Sequence, residues 1–143
     1  MAVNPVRGES VQQLLAAVLL GSSAVVAAVE NRVVGGFARD TDWGSLRKPA
    51  VVVVVSGGRT HYTGAIGSFA FELWALSSDS EGAARSLYDD AYSALQAGEL
   101  YVDGLDHRGV TWEQQRPDLG WYDGGATWYC RGRWLAQVSR SNS

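Results

Sequence analysis

The sequence predicts an α+β fold: a mixed or antiparallel sheet of about four strands, with helices packed mainly on one side. Three observations support this class. Residues 67–76 alternate and lead into a capped amphipathic helix, residues 51–55 form a β-branched run, and two further alternating segments lie at 110–114 and 128–138. The resulting order is helix, strand, strand, helix, strand, strand, which is typical of α+β proteins.

Length and composition indicate one folded unit. The chain has 143 residues, of which 46% are hydrophobic and 19% charged, and this predicts a single domain, 1–143, with its core over 10–138 and a polar tail at 139–143. The net charge of −3 provides no general attraction to nucleic acid or to an anionic membrane. Cys130 is the one cysteine in the sequence, which excludes an intrachain disulfide and an all-cysteine zinc site.

The first predicted element is an amphipathic helix over 10–20. Ser10 and Gln13 have the spacing of a capping box at its start, and Gly21 ends it. Either of the two serines that follow Gly21 can cap a second short helix over 24–29. The apolar face of the first helix is formed by Val11, Leu14, Leu15 and Val18.

The same region has a competing interpretation as a signal peptide. Arg7 precedes the apolar run 14–20, and the small residues at 27–28 resemble a cleavage site. The helix is favoured because Glu9 intrudes before the run and residues 21–23 interrupt it. That interruption also leaves too few continuous apolar residues for a membrane span.

The Val-rich run 51–55 predicts a central strand, since a short β-branched segment suits a sheet buried on both faces. Two stretches that contain glycine flank it. Gly35 and Gly36 with the polar run 39–45 predict a surface loop, and residues 56–64 predict a flexible loop before the next strand.

Residues 67–76 predict a strand, and the segment after it predicts a helix. Ser78 lies three residues before Glu81, as in a capping box, and Gly98 provides the stop. The predicted core face of the strand comprises Phe69, Phe71, Leu73 and Ala75. The helical period is carried by Ala84, Leu87, Tyr88, Ala91, Ala94 and Leu95.

The last third of the chain predicts a short edge element at 100–102, a turn at 103–104, and two strands at 110–114 and 128–138. Between the two strands, residues 117–125 predict a loop. On the final strand, one face is predicted to carry Trp128, Cys130, Trp134, Ala136 and Val138, and the other Tyr129, Arg131, Arg133 and Gln137.

Reactive constellations are missing from the sequence. Lys48, the sole lysine, is followed by proline, which excludes a P-loop. His61 and His107 fall in predicted loops outside any ligand spacing, and Asp40 with Asp42 has no oxygen-rich calcium loop around it. We therefore expect no catalytic residues, no cofactor and no metal, and a protein that is not an enzyme.

Two aromatic residues are the first candidates for a partner contact. Trp121 and Tyr122 lie between glycines in the predicted loop 117–125, and exposed aromatic side chains commonly anchor interfaces. The alternative is that this loop folds back and covers the sheet.

Charged residues supply the second set of candidates. Arg131 and Arg133 project from one predicted strand face, with Arg116 near them. They could line a path for a phosphate backbone, but a solvated sheet face or one half of an inter-subunit charge pair is favoured. The acidic candidates for such pairing are Asp89, Asp90 and Asp118.

Four stretches carry a family resemblance. They are the Leu-rich helix with its small-residue turn and Val-rich segment at 19–34, the Pro-led strand at 48–52, the aromatic strand ending at 72–75 with the helix residues 83–84 and 87–91, and the closing strand at 129–134. In the order of these elements and in their residue composition, the chain resembles, over roughly 10–138, a tail terminator (tail completion protein) of long-tailed bacteriophages. Where members of that family close with a short hairpin, the stretch 117–125 is long.

The resemblance implies a homo-hexameric ring in the virion neck, assembled in the host cytoplasm. Such a ring caps the tail tube protein, ends tail polymerisation and joins the head–tail connector or stopper protein. DNA passes through its channel only as cargo, and no membrane is involved. The alternatives are another neck protein such as a head-closure stopper, a small-ligand-binding or enzymatic domain using His61, His107 or Asp40, and an exported protein whose first 28 residues are removed.

Overall fold

A computed structural model describes residues 6–35, 49–60, 66–96, 98–105, 107–122 and 127–140. The helices are α1 (Gly8–Leu20), α2 (Ser23–Val29) and α3 (Glu81–Leu95). The strands are β1 (Val33–Gly35), β2 (Ala50–Thr60), β3 (Ile66–Ser77), β4 (Leu100–Tyr101), β5 (His107–Tyr122) and β6 (Thr127–Arg140). The predicted α+β class is confirmed.

The strands form one sheet in the order β1-β2-β3-β6-β5-β4. β1 pairs with β2 in parallel, and every other pair is antiparallel. The sheet has six strands within the described ranges, where the sequence predicted about four. β4 is the predicted short edge element, whereas β1 was missed because three residues are too short to show a period.

The core lies between the sheet and the three helices, which pack on one face, as predicted. Trp134 is its largest fully buried side chain and stacks on Phe71 with ring centroids 5.9 Å apart. The predicted inward residues of β3 and of α3 are buried there, except Ala94, which is half-buried. A smaller cluster on the opposite face comprises Ala50, Val52 and Leu76, with Val54, Trp74 and Tyr129 packed against it.

The start of α1 differs from the prediction. The helix begins at Gly8 with Arg7 as its N-cap residue, so Ser10 occupies the third helical position instead of the cap. From there its hydroxyl accepts a hydrogen bond from the Arg7 N–H at 3.3 Å, which satisfies an amide at the helix start. At α2 the expected capping is found, because the Ser22 hydroxyl accepts from the Val25 N–H at 3.4 Å.

The cap of α3 is Ser80, and the predicted capping box of Ser78 with Glu81 is wrong. The Ser80 hydroxyl accepts from the Ala83 N–H at 2.9 Å. β3 continues to Ser77, whose hydroxyl accepts from the Asp79 N–H at 3.2 Å. The two residues after the strand are therefore used to turn the chain, and the helix starts two residues later than expected.

β2 extends through residues that the sequence assigned to a flexible loop. Residues 57–60 pair with β3 beyond a register shift between Val55 and Gly57. A Cβ atom at Gly58 would lie 2.2 Å from the Phe69 ring, so this glycine permits a close approach of backbone to ring, a role that glycines often have inside strands. The rest of that predicted loop, 61–64, lies outside the described residues, as do residues 36–45 of the predicted loop before β2.

β5 and β6 form a hairpin much longer than predicted. Residues 117–122 belong to β5, so the prediction of a loop is wrong for them. Residues 123–126 lie outside the described residues. The pairing of β5 with β6 shifts register between Glu113 and Gln115 and again between Gln115 and Asp118. These irregularities accommodate Pro117 and break the alternation, which explains why the strand pattern was missed. Ser139 and Arg140 end β6 and are not a frayed tail.

Within the described residues no single helix is long and apolar enough to span a membrane. α1 and α2 together would reach that length and composition, but they are bent by 89°. The apolar face of α1 packs on the sheet, where Val11, Leu14, Leu15 and Leu19 are at most 1% exposed.

Candidate functional site

Arg131 lies on the sheet face opposite the helices, where it meets two carboxylates of its own chain. Its Nη2 donates to Asp118 Oδ2 at 2.8 Å, and its Nη1 is 3.9 Å from Glu72 Oε2. The guanidinium carbon also lies 5.2 Å from the centroid of the Trp74 ring. Register explains this grouping, because Asp118 and Trp74 are the direct partners of Arg131 on β5 and β3. The hydrogen bond that Arg131 donates to Asp118 raises the pKa of Arg131, so its charge is permanent and largely neutralised within the chain.

Arg133 lies on the same face and is exposed. It lines a cavity of about 310 Å³ together with Glu72 and Gln114. The ion pairs of the described residues do not include Arg133. Arg116, predicted to lie near these arginines, lines a different cavity on the helix side of the sheet. Arg133 is therefore the better candidate of the predicted pair for a contact with another molecule.

The predicted acidic residues do not form one patch. Asp89 lines a cavity of about 670 Å³ between α3 and the middle of β5, together with Arg116. Asp90 is not among the lining residues and is half-buried. The cavity is lined by Arg85, Tyr88, Asp89, Tyr92, Glu113, Arg116, Pro117, Leu119 and Cys130. Two arginines and two carboxylates share its wall, so their formal charges cancel.

A buried polar network fixes α3 to the hairpin beside this cavity. The Tyr88 hydroxyl donates to the Glu113 carboxylate and accepts from Trp134 Nε1 at 2.9 Å. Burial, and next the hydrogen bond to Glu113, raise the pKa of Tyr88 far above its ordinary value. A Cβ atom at Gly132 would lie 1.8 Å from the Tyr88 oxygen. Glycine at this position is therefore a requirement of the network.

Cys130 has no nucleophilic character in this fold. It is 1% exposed, and burial, followed by the nearby Asp89 carboxylate, raises its pKa to about 12. The thiol is consequently protonated at neutral pH, and a protonated, buried thiol is a poor nucleophile.

Trp121 lies near the end of β5 on the helix side of the sheet. Its side chain is 48% exposed and meets the Trp128 ring edge-on, with centroids 5.0 Å apart. Tyr122, the last residue of β5, pairs with Thr127. Both candidates thus lie on a strand and not on a loop. Because this part of β5 is hydrogen-bonded to β6, the backbone of Trp121 has a fixed position, which suits a residue that anchors an interface.

Three of the predicted site residues lie at one part of the hairpin but on different sides of it. Trp121 faces the helix side and Arg131 the opposite side, while Asp89 approaches from α3. Sequence reasoning missed the network of Tyr88, Glu113 and Trp134. The available signal was Gly132, since a glycine in a strand interior often marks a close approach.

The described residues contain no group of three or more His, Cys, Asp or Glu side chains that could hold a metal ion. Asp40, Asp42 and His61 lie outside the described ranges. His107 is the first residue of β5, so its assignment to a loop is wrong.

No protein-family model and no curated protein matches the chain. Among solved structures, the chain is similar to one in the "Virion of native gene transfer agent (GTA) particle", with a TM-score of 0.60 and 16% sequence identity. The likeness covers 90% of this chain and 93% of that one. At this identity the comparison establishes a shared fold, and the protein is thus similar in fold to a chain of a gene transfer agent virion.

Proposed function

We propose that this protein is a structural component of a phage-like virion and, more specifically, a tail terminator. In this role copies of the chain form a ring, of six subunits, at the head-proximal end of the tail tube. The ring ends tail polymerisation and joins the tail to the head–tail connector or stopper protein, while DNA passes through as cargo.

The fold shared with a gene transfer agent virion chain carries this proposal. The likeness extends over nearly the whole of both chains, so it concerns the complete arrangement of helices and sheet and not a common substructure. The order of elements that resembles tail terminators is the second support, and it comes from the sequence independently of the structural comparison.

The chemistry of the described residues also favours an assembly role over an enzymatic one. Cys130 is protonated and buried, and no metal-binding cluster occurs in the part of the chain that the structure describes. The features presented outward are those of interfaces: a half-exposed Trp121 and the exposed Arg133. We therefore propose that the protein is not an enzyme.

The test is electron microscopy of particles assembled without this protein. A tail terminator predicts overlong tails, or tails that fail to join heads, and restoration of normal particles when the wild-type chain is supplied. Tails of normal, fixed length that join heads would refute the proposal. Normal tails beside unjoined heads that have lost their DNA would instead indicate a head-closure stopper.

A further inference from the structure

One edge of the sheet is only partly covered. β4 pairs with β5 at Arg108 and Gly109 alone. Beyond them, from residue 110 to 122, β5 pairs with β6 on one side, and no described strand pairs with its other side. The backbone N–H and C=O groups directed to that side are a template for another strand.

The middle of this edge is protected, but its far end is not. The two register shifts, Pro117 and the charged Arg116 lie in the middle of β5, and these are features by which proteins block edge pairing. Residues 119–122, which we call the open edge, contain no charge, no proline and no register shift. A Cβ atom at Gly120 would lie 2.6 Å from the Tyr129 ring, so the backbone here is packed and not loosely held.

The other edge of the sheet is formed by β1, which pairs with β2 and, among the described residues, with no further strand. Its sequence, Val33–Gly35, is uncharged and nearly as long as the open edge. Val33 packs against the core on the helix side of the sheet, the same side on which Trp121 lies. α2, which leads into β1, exposes the small side chains of Ala24 and Ala27.

We propose that the open edge of β5 pairs with the β1 edge of a second copy of this chain, with Trp121 packed beside α2 of that copy. This inference rests on the proposed ring. The two edges differ, so the contact is heterologous, and heterologous contacts generate closed rings when the rotation closes. Pairing of the open edge with itself would give an isologous dimer and no ring.

Cysteine cross-linking tests the pairing directly in assembled particles. Residues 33 and 121 lie on the same side of their sheets, and side chains opposite each other on one face of neighbouring strands are close enough for a disulfide. Particles are assembled from an equal mixture of Val33→Cys and Trp121→Cys chains and then oxidised. We expect a covalent dimer in the mixture and not with either variant alone, and a ladder of higher species when one chain carries both substitutions.

The control is Gln115→Cys, which is exposed on the same strand and lies between the two register shifts. It should not cross-link to Val33→Cys. A dimer formed by Trp121→Cys alone, or no cross-link in particles that contain the variants and have normal tails, would overturn the edge pairing while leaving the proposed function intact.

A second measurement avoids cysteine. Trp121→Lys places a charge on the open edge, a substitution that blocks strand addition. Gln115→Lys places the same charge between the two register shifts, where the edge is already blocked. We expect at least a tenfold lower incorporation of Trp121→Lys into particles, with both purified variants folded by circular dichroism. Equal incorporation would overturn the inference.

Discussion

At the scale of single residues, the hydrogen bonds of Tyr88 show how a buried polar group is accommodated in an apolar core. Its hydroxyl donates a hydrogen bond to Glu113 and accepts one from Trp134, so both the carboxylate and the indole N–H have a partner. The cost of an unpaired buried group is about 1–3 kcal/mol, which makes this network a determinant of how α3 sits on the sheet. This network also requires that Gly132 has no side chain, because a Cβ atom there would clash with the Tyr88 oxygen.

Gly132→Ala should destabilise the fold by about 1–3 kcal/mol, because a methyl group has no space beside the Tyr88 oxygen. Urea unfolding measures the change. Gly57→Ala is the matched control, since a Cβ atom there meets nothing within 4 Å. The cost of Gly132→Ala should fall in a Tyr88→Phe background, because the oxygen that clashes is gone. Equal costs in both backgrounds would show that the hydroxyl is not the obstacle.

The raised pKa of Cys130 predicts that the folded state loses stability at alkaline pH. Its ordinary pKa of 9.0 is raised to about 12 in the fold, so the folded state holds the proton more tightly than the unfolded state. The contribution is fully present below pH 9 and is lost as the pH rises from about 9 toward 12. The urea midpoint of wild type should therefore fall more steeply between pH 9 and 10 than that of Cys130→Ala. Parallel curves would contradict this assignment.

At the scale of elements, the segment 77–80 shows why helix starts are hard to assign from sequence. It offers serine at three of its four positions, and each has the chemistry of a cap. The choice of Ser80 depends on where β3 stops, and that is decided by its pairing with β6 through Trp128. The length of β3, and not the local capping-box motif, thus determines where α3 begins.

Ser80→Ala should cost about 1 kcal/mol, the usual value for loss of an N-cap hydroxyl. Ser86→Ala, at an exposed interior position of α3, is the control and should change stability by less than about 0.5 kcal/mol. Thermal unfolding of the two variants compares them directly. If Ser86→Ala is the more damaging change, Ser80 is not the cap.

At the scale of the whole molecule, the parts that sequence predicted well are those whose side chains follow a single period. β3, α3 and β6 are long and regular, so their core faces could be named residue by residue. β1 is too short for a pattern, and β5 changes phase at its two register shifts, which made residues 117–122 look like a loop. The ion pairs of Arg131 depend on the register of three strands and therefore could not be read from one strand alone.

The packing of α1 on the sheet is also a property of the whole fold. Leu15→Ala should cost about 2–5 kcal/mol as a fully buried truncation, whereas Leu20→Ala, at a side chain 42% exposed, should cost far less. Urea unfolding distinguishes the two. Similar small effects of the two substitutions would indicate that α1 does not belong to the core. Mass spectrometry that found a mature chain beginning near residue 29 would show that α1 is cleaved off.

The central position of β6 has a consequence for biosynthesis. β6 is the last of the described strands in sequence, yet it lies between β3 and β5 in the middle of the sheet. β3 cannot gain its second partner until residues up to 139 have left the ribosome. Until then the edge of β3 has no partner strand, and an unpaired strand edge makes such a species prone to aggregation. The sheet should therefore close only after residue 139 has emerged, and slowly, because the pairing of β3 with β6 joins residues that are distant in sequence.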